Sequence, residues 1–303
     1  MAKTFSKTER GILNLCTPGK IFDFEGSKYK IIRSGKPMPS LGGECKTDVY
    51  IQVENLFDNS IREFKISIKQ TNADFLENKI TKDRALQIFG PQFSEIIIIS
   101  IEKLREYFES EDLIFFESKG KTEAKSIKMG WRFELFLSKQ GNKSERMSLN
   151  NEQKIDVFAG TNLSKDKKDS IVTGEVIPNS GVANFVLVVD ETSEISTNLG
   201  EYLEQLIPIE LFAKENEIFF GCKALNYRAG KKKGKKWEGD RSLSVYVEWN
   251  LSSENKLSGG LTFSKPLEIT GNQIGEKLNQ ILNQIGIKSE NFDDLKGFII
   301  NED

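Results

Sequence analysis

Two stretches near the N-terminus restrict the possible folds more than anything else in the chain. Lys46-Thr47-Asp48-Val49-Tyr50-Ile51-Gln52-Val53 and Ile61-Arg62-Glu63-Phe64-Lys65-Ile66-Ser67-Ile68-Lys69-Gln70 are rich in β-branched and aromatic residues and largely alternate apolar with polar positions. That pattern belongs to strands with one buried face. The polar run from Glu54 to Ser60 joins them as a hairpin. Pairing Val53 with Ile61 sets Asp48 opposite Ile66. Side chains on one strand face alternate, so Ser67 and Lys69 share a face, within a diagonal step or two of Asp48. Glu63 and Lys65 share that face but lie nearer the turn. A carboxylate that can hold a divalent cation, beside an ammonium that can polarise water, is the minimum equipment for hydrolysing a phosphodiester. The competing reading is an Asp and a Lys on a solvated sheet face, where such a pair does no chemistry.

Composition narrows the chemistry further. The chain has 303 residues, enough for one large domain or two modest ones. Its most apolar run, Ile96 to Ile99, is bracketed by Glu95 and Glu102 and falls far short of the roughly 20 residues that span a bilayer. Met1 to Lys7 has no apolar core of a signal peptide, so no membrane and a cytoplasmic location are expected. Three scattered cysteines, Cys16, Cys45 and Cys222, read as thiols in a reducing compartment rather than a disulfide frame. Histidine is absent. That excludes Ser-His-Asp triads, histidine-dependent nuclease chemistry and most catalytic zinc sites. A general base here must be Lys, Asp, Glu, Tyr or a metal-bound water.

The segment from Gly42 to Gln70 resembles the PD-(D/E)xK nuclease superfamily and, within it, the type II restriction endonucleases. The residues that carry the likeness are Gly-Gly-Glu-Cys-Lys-Thr-Asp-Val-Tyr followed by Lys-Ile-Ser-Ile-Lys-Gln. The resemblance implies an α/β fold, with a restriction-endonuclease-like central mixed β-sheet flanked by helices and a β-rich C-terminal half. It implies Mg2+-dependent, sequence-specific cutting of double-stranded DNA by a homodimer, with no nucleotide cofactor. Asp48 matches the metal-binding aspartate and Lys69 the catalytic lysine, with the Ile68 carbonyl as a further metal ligand. Ser67 stands where an acid is usual; the missing carboxylate could come from Glu44, Glu63 or Glu77. Lys46 and Gln70, flanking the motif, are candidate DNA contacts. A nucleic-acid-binding module that has lost catalysis, and a repair or RNA-directed nuclease on the same scaffold, are the alternatives.

A net charge of −2 and a pI near 5.7 do not describe a general nucleic-acid binder, so a DNA enzyme would need a local positive surface. Arg228, Lys231, Lys232, Lys233, Lys235, Lys236 and Arg241 provide the densest supply. They read either as a solvated hairpin tip or as a loop whose lysines meet phosphates and whose arginines fork onto guanine.

Along the rest of the chain, the spacing predicts a helix over 6–16, with Ser6 and Glu9 at capping-box spacing, and a hairpin turning at Gly26. Helices are expected over 72–89, 94–110, 199–206 and 274–285. Strands are expected over 131–137, 171–177, 183–189, 218–227 and 243–249. The polar stretch 138–153 suggests a boundary or a long excursion, giving either a nuclease core over 1–140 and a β-rich recognition and dimerisation region over 141–303, or one continuous domain.

Overall fold

A computed structural model describes residues 2–70, 75–78, 80–190, 198–228 and 239–299. The chain gathers into two compact units, neither of them one continuous stretch. One comprises Met1–Asp74, Leu86–Gly90 and Leu149–Glu217; the other comprises Phe75–Ala85, Pro91–Ser148 and Ile218–Asp303. Both are mixed α/β. Among the described residues no helix is long and apolar enough to cross a membrane.

In the first unit, helix α1 (Ala2–Leu15) precedes an antiparallel run of four strands: β1 (Ile21–Phe24), β2 (Ser27–Gly35), β3 (Val49–Asn55) and β4 (Ile61–Gln70). The β1–β2 hairpin turns at Glu25-Gly26, where both residues take positive φ, 50° and 74°, as a tight two-residue hairpin turn requires. The Phe185–Val189 strand then lies parallel to β4, with Val186 beside Ser67 and Val188 beside Lys69. The side chain of Asn184 locks that register, accepting from the Lys65 amide at 2.7 Å and donating to the Glu63 carbonyl at 3.0 Å. Phe64, Ile66 and Ile68 of β4 pack with Val49, Ile51 and Val53 of β3 in one core, joined by Ile12 of α1 and by Cys16 just after it. The opposite face of β3 and β4 is thereby left to Asp48, Tyr50, Glu63, Lys65, Ser67 and Lys69.

The second unit is built on the Ser126–Phe136 strand, buried along its whole length. Phe219–Arg228 and Val245–Leu251 flank it, with Ser144–Arg146 and Leu257–Thr262 outermost. Gly130 sits in this strand with a φ of 151°, and a Cβ there would lie 2.3 Å from the Val245 carbonyl oxygen. Only glycine allows the two backbones to approach so closely. Charged side chains buried in the same strand are all paired: Lys128 with Glu111 at 2.6 Å, and Arg132 with Glu134 at 3.2 Å.

Several sequence expectations change. The helix expected over 72–89 is confined to Lys82–Phe89, because Phe75–Glu77 pairs as a strand with Ser126–Phe136. The 94–110 helix breaks into Phe93–Glu102 and Arg105–Glu109. The single strand expected over 171–177 is a miniature hairpin that turns at Thr173 and Gly174, with φ values of 50° and 87°. A helix at Asn151–Ala159 went unread, although Asn150 and Gln153 form a complete capping box there.

Candidate functional site

The β3–β4 register differs by one residue from the expected one: Val53 pairs with Arg62, not Ile61, and Val49 pairs with Ile66. The turn sets this offset. Asn55 donates its amide to the Ser60 carbonyl at 2.9 Å, and Asn59, at a φ of 58°, supplies the left-handed residue that closes the tip. A one-residue slip exchanges the two faces of a strand. The last pair of the ladder is Val49 with Ile66, and just before it the Asp48 amide also turns to the Ile66 carbonyl. Ser67 and Lys69 alternate with the core residues Ile66 and Ile68 and so share the outer face of β4, from which the charge of Lys69 acts on the Asp48 carboxylate.

Asp48 stands just before β3, and its backbone amide donates to the Ile66 carbonyl at 2.8 Å. Its carboxylate oxygen Oδ2 accepts from the Ile68 amide at 2.8 Å. A strand residue sends its amide and carbonyl toward the same neighbour, so the Ile68 carbonyl also faces this side, beyond the last β3 pair. Burial raises the pKa of Asp48 to about 6, against the pull of Lys69 and the Ile68 amide. The negative charge of Glu9 adds to the rise and Lys36 opposes it. Lys69 is half-buried and Ser67 is buried.

Sequence reasoning passed over the second carboxylate. Glu9 is only 6% exposed, and its Oε2 receives the ammonium of Lys36 at 2.5 Å. Burial works against the charge on Lys36, yet Glu9, Asp48 and Glu44 together hold its pKa above the ordinary lysine value. The signal for Glu9 was present. It shares a helical stripe with Ile12 and Cys16, both buried, and an acid on the apolar side of an amphipathic helix is unusual enough to call for a partner.

Glu9, Lys36 and Asp48 line an open cavity of about 500 Å³, walled by the loop from Pro37 to Thr47. That loop was expected to be irregular, and it is firmly anchored. Met38 exchanges backbone hydrogen bonds with Ile171 at 3.0 and 2.9 Å, and the Lys46 amide donates to the Gly181 carbonyl at 3.1 Å. Cys45 also lines the cavity, where burial raises its thiol pKa. Met38, in its lining, is exposed.

The remaining predicted site residues fall in several places. Glu44 lines the cavity and is exposed. Glu63 lies farther up the ladder, where it accepts from the Tyr50 hydroxyl at 2.5 Å and neighbours Lys65 at 3.9 Å. Glu77 belongs to the other unit, where Arg84 holds its carboxylate. Lys46 and Gln70, expected as DNA contacts, are buried; Lys46 packs over Gly160. Arg228 is paired with Glu123, and Arg241 keeps a buried Nε without a hydrogen-bond partner. Lys231, Lys232, Lys233, Lys235 and Lys236 lie outside the described residues.

Among the described residues, no three or more His, Cys, Asp or Glu side chains converge as a metal cage. Magnesium does not require one: it commonly takes one or two carboxylates and keeps several waters. Asp48, Glu9 and the Ile68 carbonyl fit that donor chemistry, with the ammonium of Lys36 seated on one of the carboxylates. Compared with family models, with curated proteins and with solved structures, the chain matches none.

Proposed function

We propose that this chain is a Mg2+-dependent endonuclease of the restriction-endonuclease type, hydrolysing phosphodiester bonds of double-stranded DNA. The observation that carries the reading is Asp48, just before β3, under the charge of Lys69 and in the cavity that also holds Glu9. The antiparallel run followed by a parallel strand, with α1 leading into it, is in keeping with the mixed sheet that such an enzyme would use. A homodimer acting in the cytoplasm on a site of twofold symmetry completes the proposal.

Asp48 and Glu9 would hold the cation, with the Ile68 carbonyl as a third protein ligand. When bound, the ion would lower the pKa of a water and neutralise charge on the phosphate. The chain's own groups do the rest. The Ile68 amide fixes the Asp48 carboxylate through Oδ2, so the other oxygen is presented in one orientation. Lys69, whose ammonium acts on Asp48, orients the attacking water and stabilises the developing negative charge on the phosphate oxygens. Ser67, on the same face of β4 as Lys69, offers a hydroxyl where a third carboxylate would add charge. Lys36 neutralises Glu9 while the site is at rest and so lowers the cost of burying two acids together.

The test is plasmid nicking in Mg2+ against EDTA for wild type, Asp48→Asn and Lys69→Ala. Cutting by wild type alone, in Mg2+ alone, supports the proposal. A second reading, a DNA-binding module that does not cut, is favoured by one observation: no three-ligand cage forms among the described residues. Salt-sensitive DNA binding with no cutting by any of the three proteins would select it.

A further inference from the structure

The second unit has a cavity of its own, about 530 Å³, open to solvent, within the roughly 300–1,000 Å³ range of ligand clefts. The chemistry of its lining is unlike that around Asp48. Lys121, Lys143 and Lys223 line it and are all exposed. Glu134 is the one acid in the lining among the described residues, and Arg132 already neutralises it at 3.2 Å. The lining is therefore strongly cationic.

Beside these charges lies an aromatic platform. Phe75 is 56% exposed, in contact with Phe136 at a ring-centroid separation of 4.6 Å. An exposed phenyl ring on a short strand offers a face on which a flat ring can stack. Asn226 adds a polar group: its side-chain oxygen is buried and has no hydrogen-bond partner, in the same lining. An unmatched buried acceptor costs free energy until a donor arrives, and nucleobase edges carry N–H donors suited to it.

We propose that this cavity binds one unpaired nucleotide, its base stacked on Phe75 and hydrogen-bonded by Asn226, its phosphates held by Lys121, Lys143 and Lys223. Three lysines around one aromatic platform fit a base with a phosphate on either side better than a simple anion. The choice of a nucleotide within a strand over a free one rests on the nuclease reading; the shared chemistry does not.

The experiment uses full-length Asp48→Asn protein in EDTA, with fluorescence anisotropy of a labelled single-stranded deoxyadenosine oligonucleotide. Phe75→Ala should weaken binding about fivefold or more, the usual loss when a base-stacking ring is removed. The same variant should leave binding of an abasic strand of equal length unchanged. Lys143→Ala and Lys223→Ala should each weaken both strands and lower the salt dependence by about 0.7 in log–log slope. Competition by free deoxyadenosine monophosphate at similar affinity would support the site and assign it to free nucleotides. Equal affinity for abasic and base-bearing strands, an unaffected Phe75→Ala variant, or no binding at low salt would overturn the proposal. Failure of the cleavage reading shows separately, as wild-type protein that binds the oligonucleotide but leaves plasmid intact in Mg2+.

Discussion

Replacing Asp48 by Asn should make the protein more stable and remove its proposed activity together. The Asn side-chain oxygen can still accept from the Ile68 amide, as Oδ2 of Asp48 does at 2.8 Å, so the change removes charge and little else. The carboxyl pKa stands at about 6 in the folded protein, against an ordinary value of 3.8. That value already nets burial and Glu9 against the attraction of Lys69, the Ile68 amide and Lys36. The folded protein thus binds this proton more tightly than the unfolded chain does. The carboxyl's favourable contribution is whole below pH 3.8 and erodes as pH climbs through 6. Above that, the ionised group costs a constant amount, at 1.36 kcal/mol per unit no more than about 3 kcal/mol. The stability of Asp48→Asn relative to wild type should therefore be near zero at pH 3.5 and rise to a plateau of up to about 3 kcal/mol by pH 7.5. Urea unfolding followed by circular dichroism measures it. Hydrogen exchange of β3 and β4 peptides assigns the transition to the unit that holds Asp48. A variant less stable than wild type at pH 7.5, or a difference independent of pH between 4 and 7, would refute this account of the site.

Three further outcomes follow from the same charges and from the second unit. Lys69→Met should abolish cutting while leaving DNA affinity within a few-fold, and should push the Asp48 pKa above 6; carboxyl-carbon NMR titration reads the latter. Glu9→Gln should raise the Mg2+ concentration needed for half-maximal cutting and, by removing a like charge, lower the Asp48 pKa. The acid limb of the pH–rate profile then moves to lower pH, whereas a purely structural role for Glu9 would leave that limb in place. In the second unit, Glu111→Gln should destabilise by about 3 kcal/mol because it strands the buried ammonium of Lys128, whereas Lys128→Met should cost far less. Thermal or urea unfolding compares the two.

The alternation in β3 and β4 was legible because one face of each packs into a continuous apolar core, and a period of two survives wherever that holds. The register was not. It depends on how many residues the turn consumes, and Asn59 adopts a backbone conformation that asparagine tolerates without advertising. The failure at 72–89 has a different cause. Ala85, Leu86 and Phe89 sit at helical intervals and Phe75 and Ile80 only loosely extend them, and pairing with the long central strand claims Phe75–Glu77 first. The two arginines beside the basic run read as free DNA contacts because sequence shows charge and hides its partners. Arg228 proves to be paired with Glu123, more than a hundred residues away in the chain but three residues before Ser126, which faces Arg228 across the sheet.

Glu9 was missed for a related reason: its place on the buried stripe of α1 calls for a partner, but only the fold shows that the partner is Lys36, in a cavity shared with Asp48. Once it is placed, the whole site becomes a problem in charge balance. Two carboxylates from different elements occupy one partly buried cavity, and the raised pKa of Asp48 shows that the resident lysines only partly compensate for the desolvation. Lys36 is held charged by the acids around it, so it acts as an internal counter-ion, and a divalent cation would have to compete with it for Glu9. Such an arrangement costs stability at neutral pH and is reached only through a close-fitting set of backbone anchors at Ile68, Ile171 and Gly181. A solvated Asp–Lys pair on an ordinary sheet face has no need of those anchors and would leave Asp48 near its ordinary pKa, so a carboxyl-carbon NMR midpoint near 6 is the outcome expected of the proposed site, and one near the ordinary 3.8 would mark the pair as incidental.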